Sequence, residues 1–410
     1  MFSPEDLNGY FKGLKGDFPI FSHDPSLVYL DSAATTQKPS AVLAAVRDFY
    51  ERNNSNVHRG VYPLAEAATE LYESSRRRLS GFVGCWPGEL VFTKGSTEGL
   101  NVLASSLSIS GDYDTFIVPV FEHHSNFVPW QYHARRNGLR FIPLPVRQNS
   151  LDMSLVYETL QQMDGRFVFS LAGLVNSTGY RPPFEEIGSL VHSAGGVMVL
   201  DSAQLIPHEK FSFGESNVDF LVFSGHKMLA ETGIGCLVGR EKLLGELNPF
   251  VFGGQMIDMV GKEETTFAEG VAKFEGGTQN ISGAISMMAA VEYLENAGME
   301  RVSAHVSNLV AMAREKIEAI GGYRIHSPES SRAVITFTHS RVHSHDIAEF
   351  LGRKMNVALR SGHHCSQLQM KELGVVSACR VSFYLYNTFE DVDRLADSLE
   401  EAGRWFDEFR

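Results

Sequence analysis

Short apolar runs without polar alternation recur through the first 250 residues of this 410-residue chain. Amphipathic helical patterns follow several of these runs, among them "ELVFT", "TFIVPV" and "RFVFSLA". Strands that are apolar at every position are typical of a parallel sheet that is covered on both faces. The pattern over residues 25–250 therefore predicts one large α/β domain with a mostly parallel, doubly wound sheet.

The pattern changes near residue 280, where two helical segments follow each other. Short strands such as "AVITFTH" and "ACRVSFYLY" then alternate with helices, which predicts a smaller α+β domain at the C-terminus. We place the division near residue 290. The prediction is a large domain over residues 21–290, a small domain over residues 291–410, and an N-terminal segment over residues 1–20 that packs with the small domain.

The net charge and the number and spacing of cysteines limit which classes of binding partner and which cellular compartment are expected. The chain carries 36 Lys and Arg against 49 Asp and Glu, a net charge of −13, which disfavours nucleic acid or an anionic membrane as a partner. No apolar run approaches membrane-spanning length, and the N-terminus has no apolar signal region. The four cysteines form no CxxC pair, so we expect a reducing, cytoplasmic location and predict no metal site.

Polar residues stand at the predicted carboxyl ends of four strands, where open α/β sheets bind ligands. Asp201 follows "VMVL", and Lys227 follows "DFLVF". The sequence "GST" at 95–97 opens a helix, and His123 follows "TFIVPV". Taken singly, these residues have simpler explanations as caps, turn residues or solvated charges.

Together the four groups match the needs of pyridoxal phosphate. Its aldehyde requires a lysine, its ring nitrogen an acid, and its phosphate a helix N-terminus with hydroxyl groups. The set therefore predicts a binding site for this cofactor at the edge of the sheet.

Nine motifs then carry a resemblance that covers nearly the whole chain. In chain order they are "LDSAATTQKP", "VHRGVY", "GSTEGLN", "EHHSN", "DSAQ", "FSGHK", "FEGGTQN", "RSGHHC" and "YNT". The chain resembles a group II (SufS-like) cysteine desulfurase of the class V aminotransferase superfamily, whose members are fold-type I pyridoxal-phosphate enzymes. The resemblance implies an enzyme that converts L-cysteine to L-alanine.

The resemblance also implies roles for individual residues around the cofactor. Lys227 would hold the cofactor aldehyde and shuttle protons, and Asp201 would pair with the ring nitrogen. Gln204 would bind the phenolic oxygen, and His123 would stack on the ring and act in acid–base steps. The residues that would hold the phosphate are Ser96, Thr97, Ser224 and His226.

Further residues are implied for the substrate and for a second subunit. Arg360 would clamp the substrate carboxylate, which suits the bidentate geometry of arginine. Asn176 matches an active-site asparagine, and Arg380 is either a second substrate contact or part of a structural ion pair. Thr278 would reach the phosphate of the neighbouring subunit, which implies a homodimer with shared active sites.

Cys365 lies in "RSGHHCSQ", where polar and potentially cationic neighbours favour a nucleophilic thiol. By the resemblance, its thiolate would attack the sulfur of bound cysteine and leave a persulfide on Cys365. That sulfur would pass to an acceptor protein, for instance in iron–sulfur cluster assembly. His363 and His364 would either favour the thiolate by their charge or position the loop.

Other reactions on the same scaffold stay open at this point. They are selenocysteine lysis, cysteine sulfinate desulfination, transamination and epimerisation, or a non-catalytic role in sulfur relay. The chain also departs from the family pattern where Ala230 and Glu231 replace a usual Gly-Pro pair, and where "SQLQM" after Cys365 lacks the usual proline. These departures bear on the substrate and the sulfur acceptor.

Overall fold

A computed structural model describes residues 3–147 and 149–408 of the chain. Its strands are β1 (Val28–Tyr29), β2 (Leu90–Thr93), β3 (Thr115–Pro119), β4 (Arg140–Leu144), β5 (Phe167–Ala172), β6 (Val197–Asp201), β7 (Phe220–Ser224), β8 (Gly235–Gly239), β9 (Ile257–Val260), β10 (Thr265–Phe267), β11 (Tyr323–Ile325), β12 (Val334–His339), β13 (Val357–Ala358), β14 (Arg360–Gly362) and β15 (Ala378–Ser382).

Helices flank these strands along the whole described chain. They are α1 (Pro4–Leu14), α2 (Pro19–His23), α3 (Ser40–Asp48), α4 (Pro63–Val83), α5 (Ser96–Ile109), α6 (His124–Asn137), α7 (Met153–Gln161), α8 (Phe184–Ser193), α9 (Glu241–Glu246), α10 (Ile281–Ala297), α11 (Met299–Ala319), α12 (Ser344–Lys354), α13 (Gln367–Glu372) and α14 (Phe389–Glu408). Within the described ranges, no helix combines the length and the apolar character that a bilayer crossing requires.

A seven-stranded sheet forms the centre of the large unit, in the order β2-β8-β7-β6-β5-β3-β4. The pairs from β7 to β4 are parallel, whereas β8 runs antiparallel to both β2 and β7. The fold is thus α/β with a mostly parallel sheet, and the prediction of this fold class is confirmed.

The apolar runs are explained by burial on both faces of this sheet. Phe169 and Leu171 of β5 belong to one apolar core, and Val168 of the same strand belongs to the other. Alternate residues of a strand point to opposite faces, so a strand between two apolar cores needs an apolar residue at nearly every position.

A second sheet, antiparallel and in the order β11-β12-β15-β14, lies in the C-terminal part of the chain. Helices α11 and α14 contact each other beside it, and α1 lies on α11. There Phe11 stacks on His305 with ring centroids 4.5 Å apart, and Lys15 binds Asp391 at 2.9 Å. Residue 290 falls inside the continuous helix α10, so a domain division at that residue stays a prediction.

A buried ion pair ties the segment before Thr278 to the large unit. The two Nη atoms of Arg76 donate to the two carboxylate oxygens of Glu275 at 2.7 and 2.8 Å. The same carboxylate accepts the backbone N–H of Phe92 and the hydroxyl of Tyr72, each at 2.9 Å. Four hydrogen bonds on one carboxylate fix this segment against α4 and β2.

Replacing Glu275 by glutamine should lower the free energy of unfolding by about 3 kcal/mol, because the buried Arg76 would lose its buried counter-charge and keep only the partly exposed Glu73, 3.0 Å away. The free energy is measured by urea unfolding of the purified protein. The matched control is Glu70→Gln, whose partner Arg77 is exposed, and which should change stability by about 1 kcal/mol or less. Equal effects of the two substitutions would contradict the assignment of a buried, stabilising pair.

Candidate active site

One cavity opens at the carboxyl ends of β3, β5, β6 and β7, beside the loop that follows β14. Thirteen residues that the sequence analysis singled out line it, namely Ser96, Thr97, His123, Asn176, Asp201, Gln204, Ser224, His226, Lys227, Arg360, His364, Cys365 and Arg380. Thr278 does not line this cavity and is exposed. The structure therefore brings together the residues predicted to bind the cofactor and the substrate, except Thr278, which was expected to act on a neighbouring subunit; His363 also lies outside the cavity lining.

Hydroxyl groups gather at the N-terminus of α5. The hydroxyls of Ser96 and Ser224 are 2.8 Å apart, and those of Thr97 and Ser125 are also 2.8 Å apart. Gly95 precedes the helix with φ of 146°, and a Cβ there would lie 3.2 Å from the Ser224 hydroxyl. A glycine thus lets the helix start approach Ser224 closely, which produces a concave site suited to a phosphate group.

Asp201 is buried and Lys227 is half-buried in the same cavity as this hydroxyl cluster. Burial lowers the pKa of Lys227, and the Asp201 carboxylate opposes that shift. Burial raises the pKa of Asp201, while the positive charge of Lys227 and the backbone N–H of Ala203 oppose the rise. A lysine with a lowered pKa is more often the free amine, which is the form that attacks an aldehyde.

His123 lies between the end of β3 and the start of α6, and its ring is neutral. Its Nδ1 accepts the backbone N–H of Ser125 at 3.1 Å, which assigns the ring hydrogen to Nε2. Burial lowers the pKa of His123 to about 3, and the nearby charge of Lys227 adds to this effect. The ring is therefore uncharged at neutral pH and can donate or relay one proton.

Two residues of the large unit hold the loop that carries Cys365. The side-chain amide of Asn176 donates to the carbonyl of His364 at 2.8 Å and accepts from the Ser366 hydroxyl at 3.3 Å. The backbone N–H of His124 donates to the carbonyl of Cys365 at 2.7 Å. These bonds place the exposed thiol at the cavity wall.

The backbone of the loop is left-handed at two successive residues, with φ of 53° at His364 and 57° at Cys365. Burial lowers the pKa of His364 to about 3, and its Nε2 donates to the carbonyl of Ala378 at 2.9 Å. His364 is therefore neutral at pH 7. Of its two possible roles, the geometry favours positioning of the loop, whereas His363 is exposed.

The other three cysteines are poor nucleophiles. Burial raises the pKa of Cys85 and of Cys379 to about 12, and it raises that of Cys236 well above its usual range. Protonated thiols react slowly, so Cys365 is the reactive candidate among the four.

Arg380 lies in register with Arg360 on the neighbouring strand. It is fully buried, with Nη2 on Asp31 at 3.0 Å and Nη1 on the carbonyl of Asn176 at 3.1 Å. Its Nε is buried without a hydrogen-bond partner among the described residues. Arg360 is half exposed, with its Nε 4.0 Å from Asp31. Arg380 thus forms a structural ion pair and still has one donor in reserve.

Sequence reasoning missed three residues that shape the site. Asp31 neutralises Arg380, His124 fixes the cysteine loop, and Ser125 completes the hydroxyl cluster. His124 and Ser125 are part of "EHHSN", and Asp31 begins "DSAATT". Each motif follows a predicted strand, and this position was the one sequence signal that could have marked these residues as part of the site. The long-range partners of these residues were not readable from the chain.

Comparison with known proteins identifies the family. Residues 28–395 match the family described as aminotransferase class-V. A relative from Halalkalibacterium halodurans named "probable cysteine desulfurase" is 39% identical, over 96% of this chain and 98% of its own length. A relative of the same name from Staphylococcus aureus is 40% identical, over 98% of both chains.

Solved structures agree with these relatives. The cysteine desulfurase CsdA from Escherichia coli has a TM-score of 0.89 and 32% identity, with 99% of both chains covered. A cysteine desulfurase from Thermococcus onnurineus has a TM-score of 0.90 and 31% identity, with 98% of both chains covered. With matches of this extent in sequence and in structure, the chain belongs to the class V aminotransferase family and, within it, to the cysteine desulfurases.

Proposed function

We propose that this protein is a pyridoxal-phosphate-dependent cysteine desulfurase of the group II type, which converts L-cysteine to L-alanine and passes the sulfur on through a Cys365 persulfide. One observation carries the proposal: a half-buried lysine, Lys227, and an exposed thiol, Cys365, line the same cavity. The names of the relatives at 39–40% identity support it.

The residues of the cavity fit pyridoxal phosphate. Lys227 would hold its aldehyde, Asp201 its ring nitrogen and Gln204 its phenolic oxygen, while His123 would stack on the ring. The phosphate would bind Ser96, Thr97, Ser224 and His226 at the start of α5, where Gly95 leaves room that a Cβ would fill. When bound, this cofactor supplies an electron sink for negative charge at the substrate carbon.

Side chains of the protein would bind the substrate and transfer protons. Arg360, with the spare donor of Arg380 and with Asn176 beside it, would hold the substrate carboxylate. Lys227 would move a proton at the substrate carbon, and the neutral His123 would relay another.

Cys365 would act on the substrate sulfur. A bond forms between its thiolate sulfur and the sulfur of cysteine while the substrate C–S bond breaks. The electron pair of that bond stays with the carbon skeleton, which takes up protons and leaves as alanine. The sulfur stays on Cys365 as a persulfide.

A homodimer with shared sites is part of the proposal. Thr278 is exposed outside its own cavity, where it could serve the phosphate of a second copy. Exposed apolar side chains of nearby sequence, Phe252, Met259 and Val260, are 62–66% accessible in the single chain. We expect large apolar side chains with this much exposure on a surface that a partner covers.

We further propose a cytoplasmic enzyme that delivers sulfur to an acceptor protein, for instance for iron–sulfur cluster assembly. The exposure of Cys365 supports delivery to a protein. The four free cysteines support a reducing compartment.

The test is product analysis on the purified protein with added pyridoxal phosphate. L-cysteine with a thiol reductant should give sulfide and alanine in equal amounts, from a protein with a visible absorption band. Light scattering should give about twice the 45.4 kDa mass of one chain. Pyruvate and ammonia in place of alanine would contradict the proposed reaction, and a higher kcat/KM with selenocysteine or cysteine sulfinate would reassign the substrate.

A further inference from the structure

The segment Asp31–Lys38, within the motif "LDSAATTQKP", contributes Ala33 and Ala34 to the lining of the cavity. Asp31 binds Arg380, and the carbonyl of Ala33 accepts the side-chain amide of Gln204 at 2.7 Å. Neither the fold nor the proposed reaction explains the threonines and the lysine at the end of this segment.

Those residues converge on one carbonyl oxygen, that of His226. It accepts the backbone N–H of Thr36 at 2.9 Å, and the hydroxyls of Thr35 and Thr36 at 3.1 Å each. The ammonium of Lys38 is its fourth donor, also at 3.1 Å. A carbonyl oxygen has two lone pairs, so four donors are an unusual concentration. This carbonyl belongs to the peptide bond that joins His226 to Lys227.

The environment of Lys38 is unfavourable for a charge. Its half-buried ammonium has no carboxylate within ion-pair distance among the residues that the structure describes. It precedes the N-terminus of α3, where the helix dipole disfavours a cation. Burial lowers the pKa of Lys38 to about 8. A lysine at this position therefore gains little beyond its contacts with the carbonyls of Thr36 and His226.

Thr36 makes a second link, on the other side of Lys227. Its hydroxyl accepts the backbone N–H of Leu229 at 2.9 Å, and Leu229 has a left-handed φ of 72°. The segment thus holds the backbone both before and after Lys227.

We propose that Lys38 and Thr36 are positioning residues that fix the backbone from which the Lys227 side chain extends. Lys38 supplies the charged donor on the His226 carbonyl, and Thr36 holds the same carbonyl and the Leu229 N–H. We call these contacts of Lys38 and Thr36 the backbone clamp. The placement of the Lys227 amine depends on this clamp. This inference rests on the proposed function, because it assumes that the Lys227 amine takes part in the reaction.

The test compares Lys38→Met with Lys38→Arg in the full-length protein with pyridoxal phosphate added. Lys38→Met should lower kcat for alanine formation about tenfold and leave KM for L-cysteine unchanged, because small misplacements of a reacting group reduce rate. Lys38→Arg, which keeps a charged donor, should recover part of kcat. The exposed Lys242→Met is the matched control and should behave as wild type.

Hydrogen–deuterium exchange of wild type and the same variants, without cofactor, tests the clamp independently of activity. Backbone amides in residues 225–230 should exchange faster in Lys38→Met, while the thermal midpoint stays close to that of wild type. Unchanged exchange, or unchanged kcat, would overturn the proposal, as would a general loss of stability that lowers kcat and raises KM together. If wild type itself releases no alanine, the proposed function fails, and the exchange result alone then decides whether the clamp exists.

Discussion

Replacing Lys227 by alanine is expected to lower alanine formation from L-cysteine by at least about 10³-fold. A positioned acid–base group alone contributes about 10²–10⁴-fold, and Lys227 would also hold the cofactor. Lys227 is the one lysine among the described residues that line the cavity, so no second amine can take its place. The rate is measured as alanine released at saturating L-cysteine and pyridoxal phosphate.

Lys227→Arg separates the amine from its charge. Arginine keeps a positive neighbour for Asp201 but stays protonated at any accessible pH, so it cannot attack an aldehyde. We therefore expect the same loss of turnover, and also loss of the visible absorption band that follows cofactor attachment. Lys242→Ala, on the exposed surface of α9, is the control for substitution itself. Sustained turnover by Lys227→Ala near the wild-type rate would refute the assignment.

Cys365→Ala should reduce sulfide and alanine release by at least about 10²-fold, since removal of a nucleophile costs several orders of magnitude in other enzymes. The visible band and the thermal midpoint should stay unchanged, because the Cys365 side chain is exposed and the loop is held through backbone carbonyls. Rates are measured with L-cysteine at saturation.

Mass spectrometry adds a direct measurement of the same step. After L-cysteine is added without reductant, the wild-type peptide with Cys365 should carry one extra sulfur atom. Cys85→Ser is the matched control, because the thiol of Cys85 is half-buried and protonated, and it should retain full activity. Undiminished activity of Cys365→Ala toward selenocysteine or cysteine sulfinate would favour the corresponding lyase or desulfinase instead.

The large sheet could be predicted from the sequence because burial on two faces requires an apolar residue at nearly every strand position. The residues at strand ends, such as Asp201 and Lys227, could be placed together because parallel strands share one carboxyl edge. The reversed direction of β8 was not predictable, since an antiparallel strand inside the sheet is as apolar as its neighbours.

The position of Cys365 in the same cavity as Lys227 could not come from spacing, as Cys365 follows β14 of one sheet and Lys227 follows β7 of the other. It followed from the resemblance alone, and the hydrogen bonds from Asn176 and His124 give its physical reason. The partner of Arg380 was equally hidden, because Asp31 meets it across almost the whole chain. Long-range polar pairs leave no periodic pattern in a sequence.

The left-handed residues His364 and Cys365 carry one more implication. Such backbone angles cost about 1–3 kcal/mol each unless the surroundings impose them. Here the imposing bonds come from Asn176 and His124, across the gap between two sheets. The two contacts that place the thiol in the cavity thus also hold the loop in a backbone conformation that it would otherwise leave, so we expect the loop to move more readily when either contact is removed.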